Sequence, residues 1–179
     1  MIKVNHLSVG LVDSLRPLWR ELVEHHARVS PHLDRFGDLH PEATFWEFRR
    51  RQYLEWMDEG FSRCLTAHVD GELAAYAMVR IRTASGSRDW GDRVGVLETL
   101  VVREQYRGMG LGGQLYEQAM KLLADEDVAT VQIAVMAGND GAMRFYQQRG
   151  AVPFLTTVVA PTEHHSGPTH GKQDGTRAG

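Results

Sequence analysis

The chain has a single cysteine, Cys64, in 179 residues. An internal disulfide is therefore excluded, and a lone thiol fits a reducing compartment. No apolar run approaches the roughly 20 residues that a membrane-spanning helix needs. The first 15 residues lack the continuous apolar core of a secretory signal. The expected location is the cytoplasm, and no membrane partner is expected. Excess positive charge is missing too. The net charge of −3 argues against a general nucleic-acid binder, so no nucleic-acid partner is expected. Hydrophobic residues at 42% and charged residues at 24% suit one soluble domain with a sizeable core at this length.

Large apolar side chains are absent from residues 161–179, which are Gly, Thr, His, Pro, Ala and polar or charged residues. Such a segment cannot bury enough surface to offset its ordering entropy. Residues 1–160 are read as the domain and 161–179 as a disordered tail. His164, His165 and His170 could bind a metal in principle. The reading is a solvated tail, and no metal site is expected.

Residues 2–7 alternate weakly and read as a strand. Leu11, Leu15, Leu18, Trp19 and Leu22 have helical spacing and predict a helix over about 10–28, with Pro17 able to shift its start. A loop follows over 29–40. Pro41 opens a second helix that Gly60 ends. Residues 65–69 and 73–81 read as strands joined by the two-residue turn Asp70-Gly71. Leu73, Ala75, Ala77, Val79 and Ile81 are expected on one face of the second. After a polar loop, residues 94–102 read as a strand, 111–123 as a helix and 130–136 as a strand. A helix after Asn139 and a last strand ending near Val159 complete the order β-α-α-β-β-β-α-β-α-β. Hairpin-linked strands come first and helix-crossed strands last, which predicts a mixed sheet in a three-layer α/β domain.

The strongest local signal is Arg107-Gly108-Met109-Gly110-Leu111-Gly112-Gly113, between the strand at 94–102 and the helix at 111–123. Glycines let a backbone approach a ligand closely. At a strand-to-helix turn, free N–H groups and the positive helix end converge, which makes an anion cradle. Arg107 adds a planar donor fork. A P-loop would need Gly-Lys-Ser/Thr, and Gly112-Gly113-Gln114 supplies neither Lys nor hydroxyl. A dinucleotide fingerprint, formally present at Gly108, Gly110 and Gly113, would need an acid on the next strand, and residues 130–136 have none. A plain packing turn remains an alternative.

The flanks add a second block. Leu97-Glu98-Thr99-Leu100-Val101-Val102 followed by Tyr106-Arg107-Gly108-Met109-Gly110-Leu111-Gly112 resembles the coenzyme A motif of the GNAT superfamily of acyl-CoA N-acyltransferases. Asn139-Asp140-Gly141-Ala142-Met143-Arg144-Phe145-Tyr146, with Gly150 four residues on, is similar to the segment that follows it in that family. The resemblance covers about residues 94–156. It implies a three-layer α/β/α domain whose mixed, mostly antiparallel sheet splays at the coenzyme A site. It implies acetyl-CoA as co-substrate, and a small-molecule or peptide amine as acceptor. A protein or charged-tRNA acceptor is a further option, and family members are often homodimers. The different-class alternative is a silent acyl-CoA-binding sensor or interaction module.

Acyl transfer needs a neutral amine. With a pKa near 10.4, about one lysine-like amine in 2,500 is neutral at pH 7, a penalty of roughly 4.6 kcal/mol. A proton acceptor is therefore required. Glu98 interrupts an apolar run, where a carboxylate is costly unless paired, hydrated or functional. It matches the position of the family's strand glutamate and is the expected base; a solvent-facing or ion-paired carboxylate is the competing reading. By resemblance, Tyr146 lies beside the coenzyme A sulfur as the acid; core packing beside Phe145 is the alternative. Asn139 reads as a helix N-cap, as a pantetheine contact, or both. Leu100, Val101 and Val102 are expected to bind the pantetheine arm through backbone groups, like an added strand. Arg107, Gly108, Met109, Gly110, Leu111, Gly112 and Gly113 are expected to hold the pyrophosphate. Asp34, Phe36, Asp38, Phe45, Trp46, Tyr53 and Trp56 could line an acceptor pocket, although aromatics at helical spacing usually face the core. The run Arg49-Arg50-Arg51 reads as a solvated face. Cys64 shows no sign of a covalent nucleophile, so direct transfer is expected.

Overall fold

The computed structural model describes residues 2–162. The tail from 163 on, with His164, His165 and His170, lies outside the described residues. The described residues form five strands and four α-helices in the order β-α-α-β-β-β-α-β-α. Strand β1 (Ile2–His6) leads into a 3-10 helix (Val9–Leu15) and then α1 (Arg16–Val29). The helix expected over 10–28 is thus divided, and Pro17 is the cause. It has no N–H for the residue-13 carbonyl, which instead accepts the Arg16 N–H and closes a tighter turn. The expected loop at 29–40 contains a 3-10 helix, Pro31–Phe36.

Helix α2 (Glu42–Asp58) is preceded by Pro41 and followed by Gly60 at φ 57°. The hairpin β2 (Ser62–Val69) and β3 (Glu72–Thr83) turns at Asp70 and Gly71, with φ of 50° and 89°. Two successive positive φ values are what a tight right-twisted hairpin requires. Then come β4 (Arg93–Val102), α3 (Leu111–Ala124), β5 (Val131–Ile133) and α4 (Asp140–Gln147).

The sheet order is β1-β2-β3-β4-β5, with β5 parallel to β4 and the other pairs antiparallel. On one face Val12, Leu15, Leu18, Trp46 and Tyr53 pack against Tyr76, Met78 and Val101. On the other, Leu111, Leu115, Ala119 and Leu123 of α3 form a fully apolar stripe at i, i+4 spacing against Leu65, Ala77, Val79 and Leu97. Each such side chain contributes about 1.5–3 kcal/mol on full burial. Gly95 lets α3 come close: a Cβ there would lie 2.9 Å from Leu123 Cδ1.

Two register breaks shape the sheet. Between β2 and β3, Ala67 pairs with Ala75 but His68 pairs with Leu73. The extra residue, Ala74, reverses the alternation. Leu73 therefore packs on the α1/α2 face, opposite to the expected one. Between β3 and β4, Met78 pairs with Thr99 and Val79 with Leu97. Glu98 is left over and forms a bulge.

The last expected strand does not form. Residues 148–162 contain neither helix nor strand, and Val152, Leu155 and Val158 are at least 80% exposed. Apolar, β-branched composition favours a strand only where a neighbour strand is available. β5 pairs along just three residues, and Pro153 lacks a donor.

The end of α1 is clasped to the segment before α4. Ser30 Oγ donates to the Ala137 carbonyl, and a Cβ on Gly138 (φ 87°) would overlap the Val29 carbonyl. Gly138→Ala should therefore cost at least about 2–4 kcal/mol in urea unfolding. Gly150 has the same φ but open space around it, so Gly150→Ala should cost only about 1–2 kcal/mol. Equal losses would contradict the clasp.

Candidate active site

Strand β5 pairs with Gly95, Val96 and Leu97 and goes no further. Pairing stops at the residue before the Glu98 bulge. The expected strand over 130–136 is cut to Val131–Ile133 for this reason, and the sheet splays. The gap between the two diverging segments is a pocket lined by Leu97, Glu98, Thr99 and Leu100 on one side and residues 133–136 on the other. Helix α1 contributes Leu22 and His26, and α4 contributes Asn139, Ala142 and Tyr146. Glu98, Leu100, Asn139 and Tyr146 are thus brought together.

Glu98 is largely buried and its Oε1 accepts from Arg80 Nε at 2.6 Å. The Arg80 guanidinium lies 4.6 Å from the Trp56 ring centroid, so the carboxylate is held by an arginine that is itself stacked. Next in the strand, Thr99 Oγ1 meets the Tyr53 hydroxyl at 2.7 Å, and Tyr53 meets the Tyr76 hydroxyl at 3.1 Å. This buried network fixes β4 to α2 and β3 immediately beside the bulge. Burial pushes the Tyr53 hydroxyl up to about 12.

Tyr146 is buried, with ring contacts to Phe145 at 5.2 Å and Tyr116 at 6.0 Å. Its hydroxyl has no hydrogen-bond partner among the described residues. Burial, and secondarily Tyr116, pushes it up to about 12, so it remains a proton donor at neutral pH. Asn139 is the α4 N-cap and accepts the Ala142 N–H at 3.1 Å. The cap role does not remove it from the pocket wall.

The glycine turn closes the same end of the sheet. Gly108 and Gly110 adopt φ of 79° and 81°, which L side chains resist. A Cβ on Gly108 would meet nothing within 4 Å, so conformation rather than crowding requires glycine there. The first main-chain bond of α3 is donated by Gln114 to Gly110. The N–H groups of Leu111, Gly112 and Gly113 precede it and are left for a ligand. Met109 is exposed at the tip of the turn. Arg107 Nε donates to the Val102 carbonyl at 3.2 Å, so it braces the turn as well as charging it. The peptide groups of Leu100, Val101 and Val102 have no strand beside them on the β5 side. Three free amides, positive-φ glycines and an open strand edge fit a coenzyme A pyrophosphate and pantetheine arm.

The Acetyltransferase (GNAT) family profile matches residues 19–151. The chain belongs to this family. It is 29% identical over 124 residues to a mycothiol acetyltransferase of Paenarthrobacter aurescens, covering 67% of this chain and 37% of that protein. The chain thus spans little more than a third of the length of that relative. Among solved structures, a tetramutant of the BH1408 protein of Bacillus halodurans superposes with a TM-score of 0.72 at 18% identity, over 89% of this chain and 99% of that one. The aminoglycoside N-acetyltransferase AAC(6')-Iy in complex with CoA gives 0.68 at 14% identity, over 91% and 95%. These structural likenesses establish the GNAT fold.

Several residues of this GNAT domain escaped the sequence reading. His26 lines the pocket, and burial first, then His25 and Arg49, lowers its pKa, which favours the neutral imidazole. Arg80 holds Glu98. Arg149 reaches the start of α3: a Cβ on Gly113 would lie 3.1 Å from its Nη2. Its guanidinium stacks 3.7 Å from the Phe145 ring centroid. Of the proposed acceptor residues, Trp46 and Tyr53 are core, Phe45 packs on that core, and Trp56 supports Arg80. Asp34 and Phe36 sit in the 3-10 helix, where Phe36 stacks with Arg35, and Asp38 follows it, exposed. Cys64 is buried and its thiol is pushed up to about 12, which fits no nucleophilic role.

Gly110→Leu tests the cradle. Forcing a side chain to φ 81° should cost about 1–2 kcal/mol of stability. Acetyl-CoA affinity, read by calorimetry, should fall more than about tenfold, beyond the 1.4 kcal/mol that a tenfold change represents. An unchanged affinity would remove the cradle assignment.

Proposed function

We propose that this chain is an acetyl-CoA-dependent N-acetyltransferase that acetylates a primary amine, small-molecule or peptide, by direct attack. One observation carries this reading. The Glu98 bulge and Tyr146 flank the single gap where β4 and β5 part, beside the glycine turn. When bound, acetyl-CoA supplies the activated acyl thioester.

Leu111, Gly112 and Gly113 amides hold the pyrophosphate, with Arg107 beside them. The exposed edge of β4 at Leu100–Val102 holds the pantetheine arm and directs a backbone N–H at the thioester oxygen. Glu98, directly or through a water, takes the proton that the amine must lose for its lone pair to attack. The new bond is C–N, and the bond that breaks is C–S. Tyr146 gives its proton to the departing sulfur and recovers one from solvent. Arg80 keeps the Glu98 carboxylate in place at the pocket wall. No acyl group passes through Cys64.

Glu98→Gln should lower kcat by about 10²–10⁴-fold and flatten the ascending limb of the pH–rate profile, since a base has been removed. Tyr146→Phe should lower kcat by about 10- to 100-fold, less than a full acid term because the thiolate leaves readily. Tyr146 loses its proton only near 12, so the parent profile should show no descending limb from it below pH 10. A profile for Glu98→Gln that overlays the parent would end its assignment as base. An unaltered kcat for Tyr146→Phe would return that residue to packing.

A further inference from the structure

Beside the site, on the α1/α2 face, stands a cation with no paired anion among the described residues. Arg49 on α2 is half-buried and lies over Trp19 at 4.1 Å, Tyr53 at 5.4 Å and Trp56 at 5.7 Å from the ring centroids. It makes no ion pair and donates no hydrogen bond within the described residues. Its neighbours contrast with it. Arg50 pairs with Asp13 at 2.9 Å, Arg80 with Glu98 at 2.6 Å, and Arg103 with Glu21 at 3.4 Å. Beside Arg49, the Trp19 indole N–H is buried without an acceptor. Two strong donors therefore stand together lacking an oxygen. Stacking on three rings offsets part of the desolvation of a guanidinium, but it supplies no acceptor for its N–H groups.

This cation is not in the pocket wall but adjoins it through one shared ring. Trp56 lies against both Arg49 and Arg80, and Arg80 holds Glu98. Arg49 also acts electrostatically on His26 of the pocket wall. We infer that Arg49 is a substrate-recognition residue and that the acceptor is an amine bearing a carboxylate, which the Arg49 guanidinium binds while the amine points to Glu98. The inference rests on the acetyltransferase reading above. A purely cationic amine is disfavoured beside Arg49, whose charge has no paired anion among the described residues, whereas that of Arg80 is compensated by Glu98. A planar, forked donor set fits a carboxylate in two-point contact.

The probes are ω-amino carboxylates of three to six carbons and their carboxamides, which differ only in the anion. With saturating acetyl-CoA, the parent should show a KM about tenfold or more lower for the best carboxylate than for its amide. Arg49→Met keeps the apolar stem over Trp19 and should abolish that preference with kcat changed little. Arg49→Lys should restore part of it, since charge returns without the fork. A parent with no carboxylate preference would overturn the inference. So would an Arg49→Met change that raises both KM values alike, which is the mark of a structural role. The same ligand pairs are titrated calorimetrically into the coenzyme A-bound protein. If no amine is acetylated, the enzyme reading fails on its own; carboxylate-selective binding lost in Arg49→Met would still uphold the anion site, and its absence would overturn it.

Discussion

The pocket of this domain depends on one extra residue in β4. Because Glu98 has no partner across from it, the side-chain alternation of the strand reverses there. Before the bulge, Gly95 and Leu97 face α3; after it, Leu100 and Val102 do. The bulge turns a carboxylate out of an apolar strand and ends the pairing with β5 in the same step. The pocket is the direct result. Thr99, Tyr53 and Tyr76 hold the distorted strand in place through buried hydroxyl bonds. Leaving one such buried group unpaired costs about 1–3 kcal/mol, so the distortion is strongly specified.

The two faces of the sheet divide the work. The α3/α4 face presents the glycine turn, the free amides of α3 and Tyr146. The α1/α2 face presents His26, Trp19, Trp56 and two arginines. Ser30 and Gly138 clasp the end of α1 to the segment that enters α4, which fixes the two halves around the gap. Burial then sets the proton states. Tyr146 and Cys64 are both held protonated to about 12, one poised at the pocket and one inert in the core. His26 moves the opposite way, because burial and the nearby arginine both disfavour its cation.

What was legible in the sequence was local. The glycine turn, the Asp70-Gly71 hairpin and the Asn139 cap each follow from conformational limits of a few residues. The helix over 111–123 was legible from its apolar run, and the structure extends it by one residue to Ala124. The bulges were not. Residues 94–102 are apolar on both faces, so no break in periodicity betrays Glu98 as unpaired, and Leu73 moved to the other face for want of a signal at Ala74. The strand expected to end near Val159 failed because strand formation needs a neighbour that composition does not reveal. Arg49-Arg50-Arg51 read as a solvated face, yet each has its own partner: an aromatic box, Asp13 and the Phe48 ring. The fates of Arg49 and Arg50 are set by distant neighbours, Trp19 and Asp13, whereas Arg51 stays exposed over a ring of its own helix.

The central claim is that the glycine turn and the splayed edge of β4 form an acetyl-CoA site. Calorimetric titration of the full chain with acetyl-CoA, and with NADH as the control ligand, tests it most directly. The account predicts saturable one-to-one binding of acetyl-CoA and none of NADH. Absence of acetyl-CoA binding, or equal binding of NADH, would contradict it and return the turn to packing or dinucleotide recognition.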